Sequence, residues 1–245
     1  MPIIESVQVA SVAVPLDKVT SFSTRTVSER HYCLVKVRGK DGNEGIGFCY
    51  VGSAGGDIAK IAVEQLLAPK LIGQNSHRSE GLWMDMYNES ILQGRAGAVM
   101  RSISILDTAL WDLNARAAGL PLHHYLGSVV DDRVPAYASG GYYLDGKTPA
   151  KLGKEMESYV KQGFKAVKMK VGRLSPVEEE ARVKAARKAI GEDILLTLDA
   201  NNAWRDLPTA LEYVRRFEAY NPYWIEEPFS PDAIDLHAAV ARQTA

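Results

Sequence analysis

The stretch AVKMKVGRLSPVEEEARVKAARKAIGEDILLTLDAN, residues 166–201, decides the fold. From Val167 to Val171 apolar and basic side chains alternate, which is the pattern of a strand with two distinct faces. Ser175–Pro176–Val177–Glu178 then reads as a capping box with proline at the first helical position. The helix it opens stops at Gly191, and the apolar run Ile194 to Leu198 predicts the next strand. The stretch is one strand–helix unit followed by the start of another.

Outward from it the same unit repeats. A strand is predicted over Val134 to Ser139. A helix starts at Thr148–Pro149, carries Leu152, Met156, Tyr159 and Val160 on one face, and ends before Gly163. Further on, a helix follows Pro208, a strand covers Tyr223 to Ile225, and Asp235 to Ala245 predicts one more helix. Strand starts recur every 28 to 32 residues, the length of one βα unit. Equal units without a glycine-rich phosphate loop favour an α/β barrel of parallel strands over a doubly wound sheet. About four units are present where a closed barrel has eight. Residues 131–245 are therefore read as the first half of a barrel, and the chain as part of a longer one.

Residues 1–130 have a different grammar. Ser6 to Val14 and Tyr32 to Val37 alternate, and the turn Gly39–Lys40–Asp41–Gly42 leads to a third strand over Gly45 to Tyr50. After Gly55–Gly56 the period becomes helical, with Ile58, Ile61, Ala62, Leu66 and Leu67 expected on one face. A longer helix over Ala98 to Ala118 is stopped by Gly119–Leu120–Pro121. A three-stranded sheet followed by helices is an α+β module.

Composition narrows the function classes. The chain has 245 residues, a net charge of −1, 46% hydrophobic and 24% charged residues. Charges this balanced give no reason to expect nucleic acid or an acidic membrane surface as partner. No run of roughly 18 apolar residues exists to span a bilayer. Pro2–Ile3–Ile4–Glu5 enters a strand pattern instead of a basic-then-apolar leader, so a cytoplasmic protein is expected. Cys33 and Cys49 fall in segments that can be neighbouring strands, where a disulfide is geometrically allowed. Two buried thiols are the reading taken, since neither has CxxC spacing.

The chemistry lies at the strand ends. Lys168 and Lys170 share a face, while Val167, Met169 and Val171 share the other. The apolar set should face helices, which sends both lysines into the barrel mouth. Two adjacent ammonium groups repel and burial disfavours charge, so a lowered lysine pKa and a base are predicted. The next strand ends Thr197–Leu198–Asp199–Ala200–Asn201, with Thr197, Asp199 and Asn201 on one face. The fourth ends Trp224–Ile225–Glu226–Glu227–Pro228, where only one of the two glutamates can look inward. Taken singly, the lysines could sit on a solvent-facing edge strand, and each acid could be a helix N-cap. Position decides: Lys170, Asp199 and Glu226 end three successive strands, 29 and 27 residues apart. Carboxylates on neighbouring strand tips suit a hard cation such as Mg²⁺. A metal beside two lysines can stabilise a developing enediolate while one lysine takes the proton.

The ordered set of segments resembles the enolase superfamily, and within it the mandelate racemase/muconate lactonizing enzyme family. It comprises Ser104–Ile105–Leu106–Asp107–Thr108–Ala109–Leu110–Trp111–Asp112–Leu113, the Gly119–Leu120–Pro121 stop, and Gly163 to Gly172. Asp199–Ala200–Asn201 and Trp224 to Pro228 complete it. The resemblance covers nearly the whole chain. It implies an α+β capping domain followed by a modified (β/α)7β barrel, in a Mg²⁺-dependent enzyme that abstracts the α-proton of a small carboxylate substrate. The outcome would be acid-sugar dehydration or racemisation/epimerisation of a 2-hydroxy acid.

Carried over by motif, Lys170 is the acid/base and Lys168 holds the substrate carboxylate. Asp199 and Glu226 are metal ligands, Asn201 and Ser139 contact substrate, and Glu227 stands behind the ligands. Loops at Val19 to Arg25 and Val51 to Gly56 set specificity, and the protein is a homo-oligomer. The third metal carboxylate falls roughly 25–30 residues past Glu226 if the βα period holds, beyond Ala245. The Glu226–Glu227–Pro228 form resembles the mandelate racemase subgroup. A muconate-type cycloisomerase or dipeptide epimerase with two lysine bases is the alternative enzyme, and an inactive barrel fragment or binding protein the alternative without catalysis. His31, His77, His123, His124 and His237 are read as structural or surface residues.

Overall fold

The computed structural model describes residues 2–127 and 133–244. Three long strands come first: β1 (Ile4–Ser21), β2 (Thr26–Gly39) and β3 (Glu44–Gly52), forming one sheet in the order β1-β2-β3. On β2 the alternation Cys33, Val35, Val37 points inward, and all three are buried. Cys33 lies directly opposite Cys49 on antiparallel β3. Both thiols are free, Cys33 fully buried and Cys49 partly so. Helix α1 (Gly56–Ile61) continues through a π-helical turn (Ala62–Leu67) into α2 (Ala68–Leu71), followed by α3 (Ser79–Glu89), α4 (Ala98–Ala117) and the short α5 (Leu122–Leu126).

The core of this unit is β2 and β3 against α4, with Ile103, Ile105, Leu106, Ala109, Leu110 and Leu113 buried. Two glycines on β3 permit the approach. A Cβ on Gly45 would stand 2.0 Å from the Ala109 carbonyl oxygen, and one on Gly47 would stand 2.1 Å from that of Ile105. The face expected over Ile58 to Leu67 is corrected here. Ile58 and Ile61 are 62% and 50% exposed, while Ala59, Val63 and Leu67 are buried. The buried series Ala59, Val63, Leu67 runs in steps of four residues along one helix face, and Ile58 and Ile61 flank it toward solvent.

The second sheet is parallel, in the order β4 (Ala138–Ser139), β5 (Ala166–Lys170), β6 (Leu195–Asp199) and β7 (Trp224–Glu226). Helices α6 (Pro149–Lys161), α7 (Pro176–Ile190), α8 (Leu207–Glu218) and α9 (Ile234–Ala241) alternate with them, four βα units in all among the described residues. The capping box at Ser175–Glu178 is formed, and Thr148 caps α6 by accepting the Lys151 N–H. Val167, Met169, Val171, Leu196 and Leu198 are fully buried against the helices. The strand predicted over Val134 to Ser139 shrinks to its last two residues; Val134 is 87% exposed and Ser139 pairs with Lys168. The last helix ends at Ala241, short of the predicted Ala245, which lies outside the described residues, as does the boundary expected at 130/131.

The chain forms two compact units that are not continuous in sequence. One contains Met1–Asp17 and Ser28–Arg133; the other contains Val134–Ala245 together with Lys18–Val27, which comprises the end of β1, the turn and the first two residues of β2. In the second unit Ser21 bridges to Tyr143, and the Ser23 hydroxyl donates to the Ala200 carbonyl just past β6. Among the described residues, no helix is long and apolar enough to cross a membrane.

Candidate active site

Parallel register places the chemistry in levels. Lys170, Asp199 and Glu226 are successive pairing partners across β5, β6 and β7, at the carboxyl end of each strand. One level below, Ser139, Lys168, Thr197 and Trp224 are partners across all four strands. The strand pleat sends both sets to the face opposite Met169 and Leu198, and there the charged groups meet. Lys170 Nζ donates to Asp199 Oδ2 at 2.6 Å. Lys168 Nζ donates to Glu226 Oε1 at 2.6 Å and lies 3.4 Å from Asp199 Oδ2.

The strand ends are locked by further bonds. The Asn201 backbone N–H donates to Asp199 Oδ1 at 2.9 Å, and Trp224 Nε1 donates to Glu226 Oε2 at 3.0 Å. Each carboxylate therefore has one oxygen on an ammonium and the other on a neutral donor. Asn201 Nδ2 donates to Glu227 Oε2 at 3.1 Å, tying the loops after β6 and β7. Asn201, Asn202 and Glu227 adopt left-handed backbone, φ 47°, 61° and 49°. Strained backbone of this kind gathers at sites where orientation matters. Asn201 Oδ1 is buried and accepts no hydrogen bond from the protein.

Aromatic rings wall the lysines. Tyr142 and Phe22 stand 5.4 and 6.0 Å from Lys170 Nζ, and Tyr137 stands 5.5 Å from Lys168 Nζ. Tyr137 in turn meets Trp224 edge to face at 5.9 Å.

Electrostatics corrects one expectation. Burial alone would lower the Lys168 ammonium, but the Glu226 hydrogen bond and the charges of Asp199 and Glu226 outweigh it and hold it above its ordinary 10.5. At Lys168 the predicted repulsion is overridden because Glu226 lies 2.6 Å away. For Asp199, burial raises the carboxyl. The Lys170 hydrogen bond and charge, with help from Glu226 and Lys168, bring it below its ordinary 3.8.

Asp199 and Glu226 suit a hard divalent cation in kind, with oxygen donors from adjacent strand tips. Among the described residues no group of three or more His, Cys, Asp or Glu side chains is placed to hold a metal. Two carboxylates are thus what these residues could offer Mg²⁺. Of the other predicted residues, Glu227 is exposed and meets Asn201, and Ser139 is exposed beside Lys168. Phe22, Ser23 and Thr24 of the first expected specificity loop belong to this unit, whereas Val51 to Gly56 belong to the other.

Sequence reasoning missed Tyr137, Tyr142, Trp224 and a buried cluster on α7. Glu179 is fully buried and Arg182 is 5% exposed. Arg182 Nη1 donates to Glu179 Oε2 at 2.6 Å. Glu179, Arg182, Val183, Ala186, Arg187 and Ile190 are the buried positions of α7, a 3.6-residue period. Charged residues at core-facing positions of that period were the available signal.

Comparison with known proteins identifies the family. Residues 4–127 match the family described as mandelate racemase/muconate lactonizing enzyme, N-terminal domain, and residues 151–245 match enolase C-terminal domain-like. The chain is 38% identical over 187 residues to an arabinonate dehydratase of Saccharolobus solfataricus, covering 76% of this chain and 50% of that protein. It is 33% identical over 227 residues to an L-talarate/galactarate dehydratase of Salmonella typhimurium, covering 91% and 55%. Among solved structures, a racemase from Streptomyces coelicolor A3(2) with bound magnesium superposes with a TM-score of 0.92 at 31% identity, over 99% of this chain and 67% of the other. The chain spans about half the length of the curated relatives it matches.

Proposed function

Because the chain belongs to the mandelate racemase/muconate lactonizing enzyme family of the enolase superfamily, we propose that it forms the cap and the first barrel half of an enzyme that removes the α-proton of a small carboxylate. The observation that carries this reading is the in-register row Lys170, Asp199, Glu226, with two ammonium groups and two carboxylates converging at one rim. Residues 1–130 act as the cap and 131–245 as the catalytic half.

Lys170 Nζ is the base that takes the α-proton and the acid that returns it. Its place between Tyr142 and Phe22 limits water around the amine. Lys168 Nζ binds the substrate carboxylate beside Ser139. Asn201 Oδ1, free of protein donors, receives a substrate hydroxyl. Asp199 and Glu226 hold Mg²⁺, with Glu227 fixing the Asn201 amide behind them. When bound, the ion supplies positive charge where negative charge builds on the substrate carboxylate.

The products follow one of two courses from the same proton removal: loss of a hydroxyl from an acid sugar, or return of the proton to the other face of a 2-hydroxy acid. The named dehydratase and racemase relatives support this pair, and the Glu226–Glu227–Pro228 form supports the mandelate racemase subgroup. The working protein is a cytoplasmic homo-oligomer with no nucleic acid or membrane partner. A panel of acid sugars and 2-hydroxy acids, incubated with Mg²⁺ in D₂O, should show deuterium at the α-carbon of at least one. A panel without incorporation would overturn the proposal.

A further inference from the structure

The loops that leave β4 and β5 end on one buried carboxylate. Glu179 Oε1 accepts from the backbone N–H groups of Gly172, Arg173 and Leu174 at 3.1, 3.0 and 3.0 Å, and from the Tyr143 hydroxyl. Its other oxygen takes Arg182. Arg182 then reaches the strand ends: Nη1 donates to the Lys170 carbonyl at 2.9 Å and Nη2 to the Gly141 carbonyl at 2.8 Å. The guanidinium lies 4.0 Å over the Tyr143 ring. Tyr142, the neighbouring residue, is the one whose ring stands beside Lys170 Nζ.

We infer that Glu179 and Arg182, bridged by Tyr143, are positioning residues that fix Lys170 toward Asp199. The inference deepens the proposed function and takes the role of Lys170 from it. Three observations carry it. First, nearly all the bonds of the pair run to main chain at the carboxyl ends of β4 and β5, where orientation of Lys170 is set. Second, the segment leaving β5 has no slack: Gly172 has φ 98°, and a Cβ there would stand 2.6 Å from Ala203 Cβ. Third, α7 carries a contrasting residue. Arg187, also buried, donates to the carbonyls of Ile194 and Asn221 before β6 and β7, at the opposite end from the site. A buried ion pair is a poor way to gain stability alone, because desolvation offsets its attraction. Outer groups that orient reacting ones are a general requirement of precise sites.

Competitive acetylation with acetic anhydride at mildly alkaline pH, read lysine by lysine by mass spectrometry, tests this on the full chain. Exposed Lys151 and Lys161 serve as internal references. In Tyr143→Phe, and independently in Glu179→Asp, Lys170 labelling relative to the references should change by roughly threefold to tenfold, the scale of one lost hydrogen bond. An unchanged ratio, or an equal rise at all lysines from general loosening, overturns the inference. The readout needs no turnover. A chain without α-proton exchange but with the selective Lys170 change sinks the proposed function and keeps the positioning role. Exchange without that change does the reverse.

Discussion

Lys168 and Glu226 lie on strands that are not neighbours, yet their side chains meet at 2.6 Å across β6. The residue between them on β6, paired with Lys168 on one side and Trp224 on the other, is the fully buried Thr197. Its short side chain leaves the ammonium room to pass. Lys168 thereby contacts both carboxylates, at 2.6 and 3.4 Å, and a hard cation would compete with it for the same oxygens.

Asp199→Asn should therefore weaken divalent-cation binding. A fall of roughly 10–100-fold is expected as a minimum, the range found even for groups one step removed from a metal. Titration with Mn²⁺ followed by electron paramagnetic resonance measures it. Equal affinity in variant and parent would remove Asp199 from the site.

Removing one member of the α7 pair should cost much stability, and removing both should not restore it. Arg182→Met leaves Glu179 charged, buried and short of its partner, a loss of about 3–5 kcal/mol. Glu179→Leu with Arg182→Met should be no more stable, because it also leaves the N–H groups of Gly172, Arg173 and Leu174 without their acceptor. Urea unfolding of the single and double variants provides the comparison, and a double variant restored to near the parent stability would contradict it.

The first unit should be sensitive at Gly47, where any Cβ meets the Ile105 carbonyl. Gly47→Ala should destabilise by roughly 1–3 kcal/mol or more, as overpacking of a close contact does. An unchanged thermal midpoint would show that β3 and α4 can separate without penalty.

Alkaline pH should weaken the same unit through Cys33. Burial first, then the charges of Cys49 and Glu64, push its thiol up from 9.0 to about 11. The folded state thus holds the proton that the unfolded chain releases. The contribution is complete below pH 9.0 and disappears as pH rises through about 11. Cys33→Ala should flatten the alkaline limb of stability measured by urea unfolding; an identical limb in both proteins would assign the loss elsewhere.

What could be read from sequence was what depends on strand period. The alternation Val167–Lys168–Met169–Lys170–Val171 has one meaning in a strand covered by helices, and the βα spacing put Asp199 and Glu226 at the same rim. What could not be read depends on neighbours distant in sequence. The Lys168 pKa direction follows from acids 31 and 58 residues away, and the lysine pair alone suggested the opposite. The roles of Glu179 and Arg182 depend on partners outside α7, namely main-chain groups and a tyrosine on another loop; the helical period shows only that they share the face of Val183 and Ala186. Ile58 and Ile61 were misplaced because apolar residues flank the buried series Ala59, Val63, Leu67, and the period alone does not say which of the adjoining rows is covered.

One variant tests most directly whether Lys170 Nζ carries the α-proton. With Mg²⁺, in D₂O, and on a substrate whose α-carbon the parent protein labels, Lys170→Ala should lose exchange by roughly 10²–10⁴-fold, the range for a positioned acid/base, with its circular dichroism unchanged. Deuterium incorporation at the parent rate in a folded Lys170→Ala protein would contradict the claim.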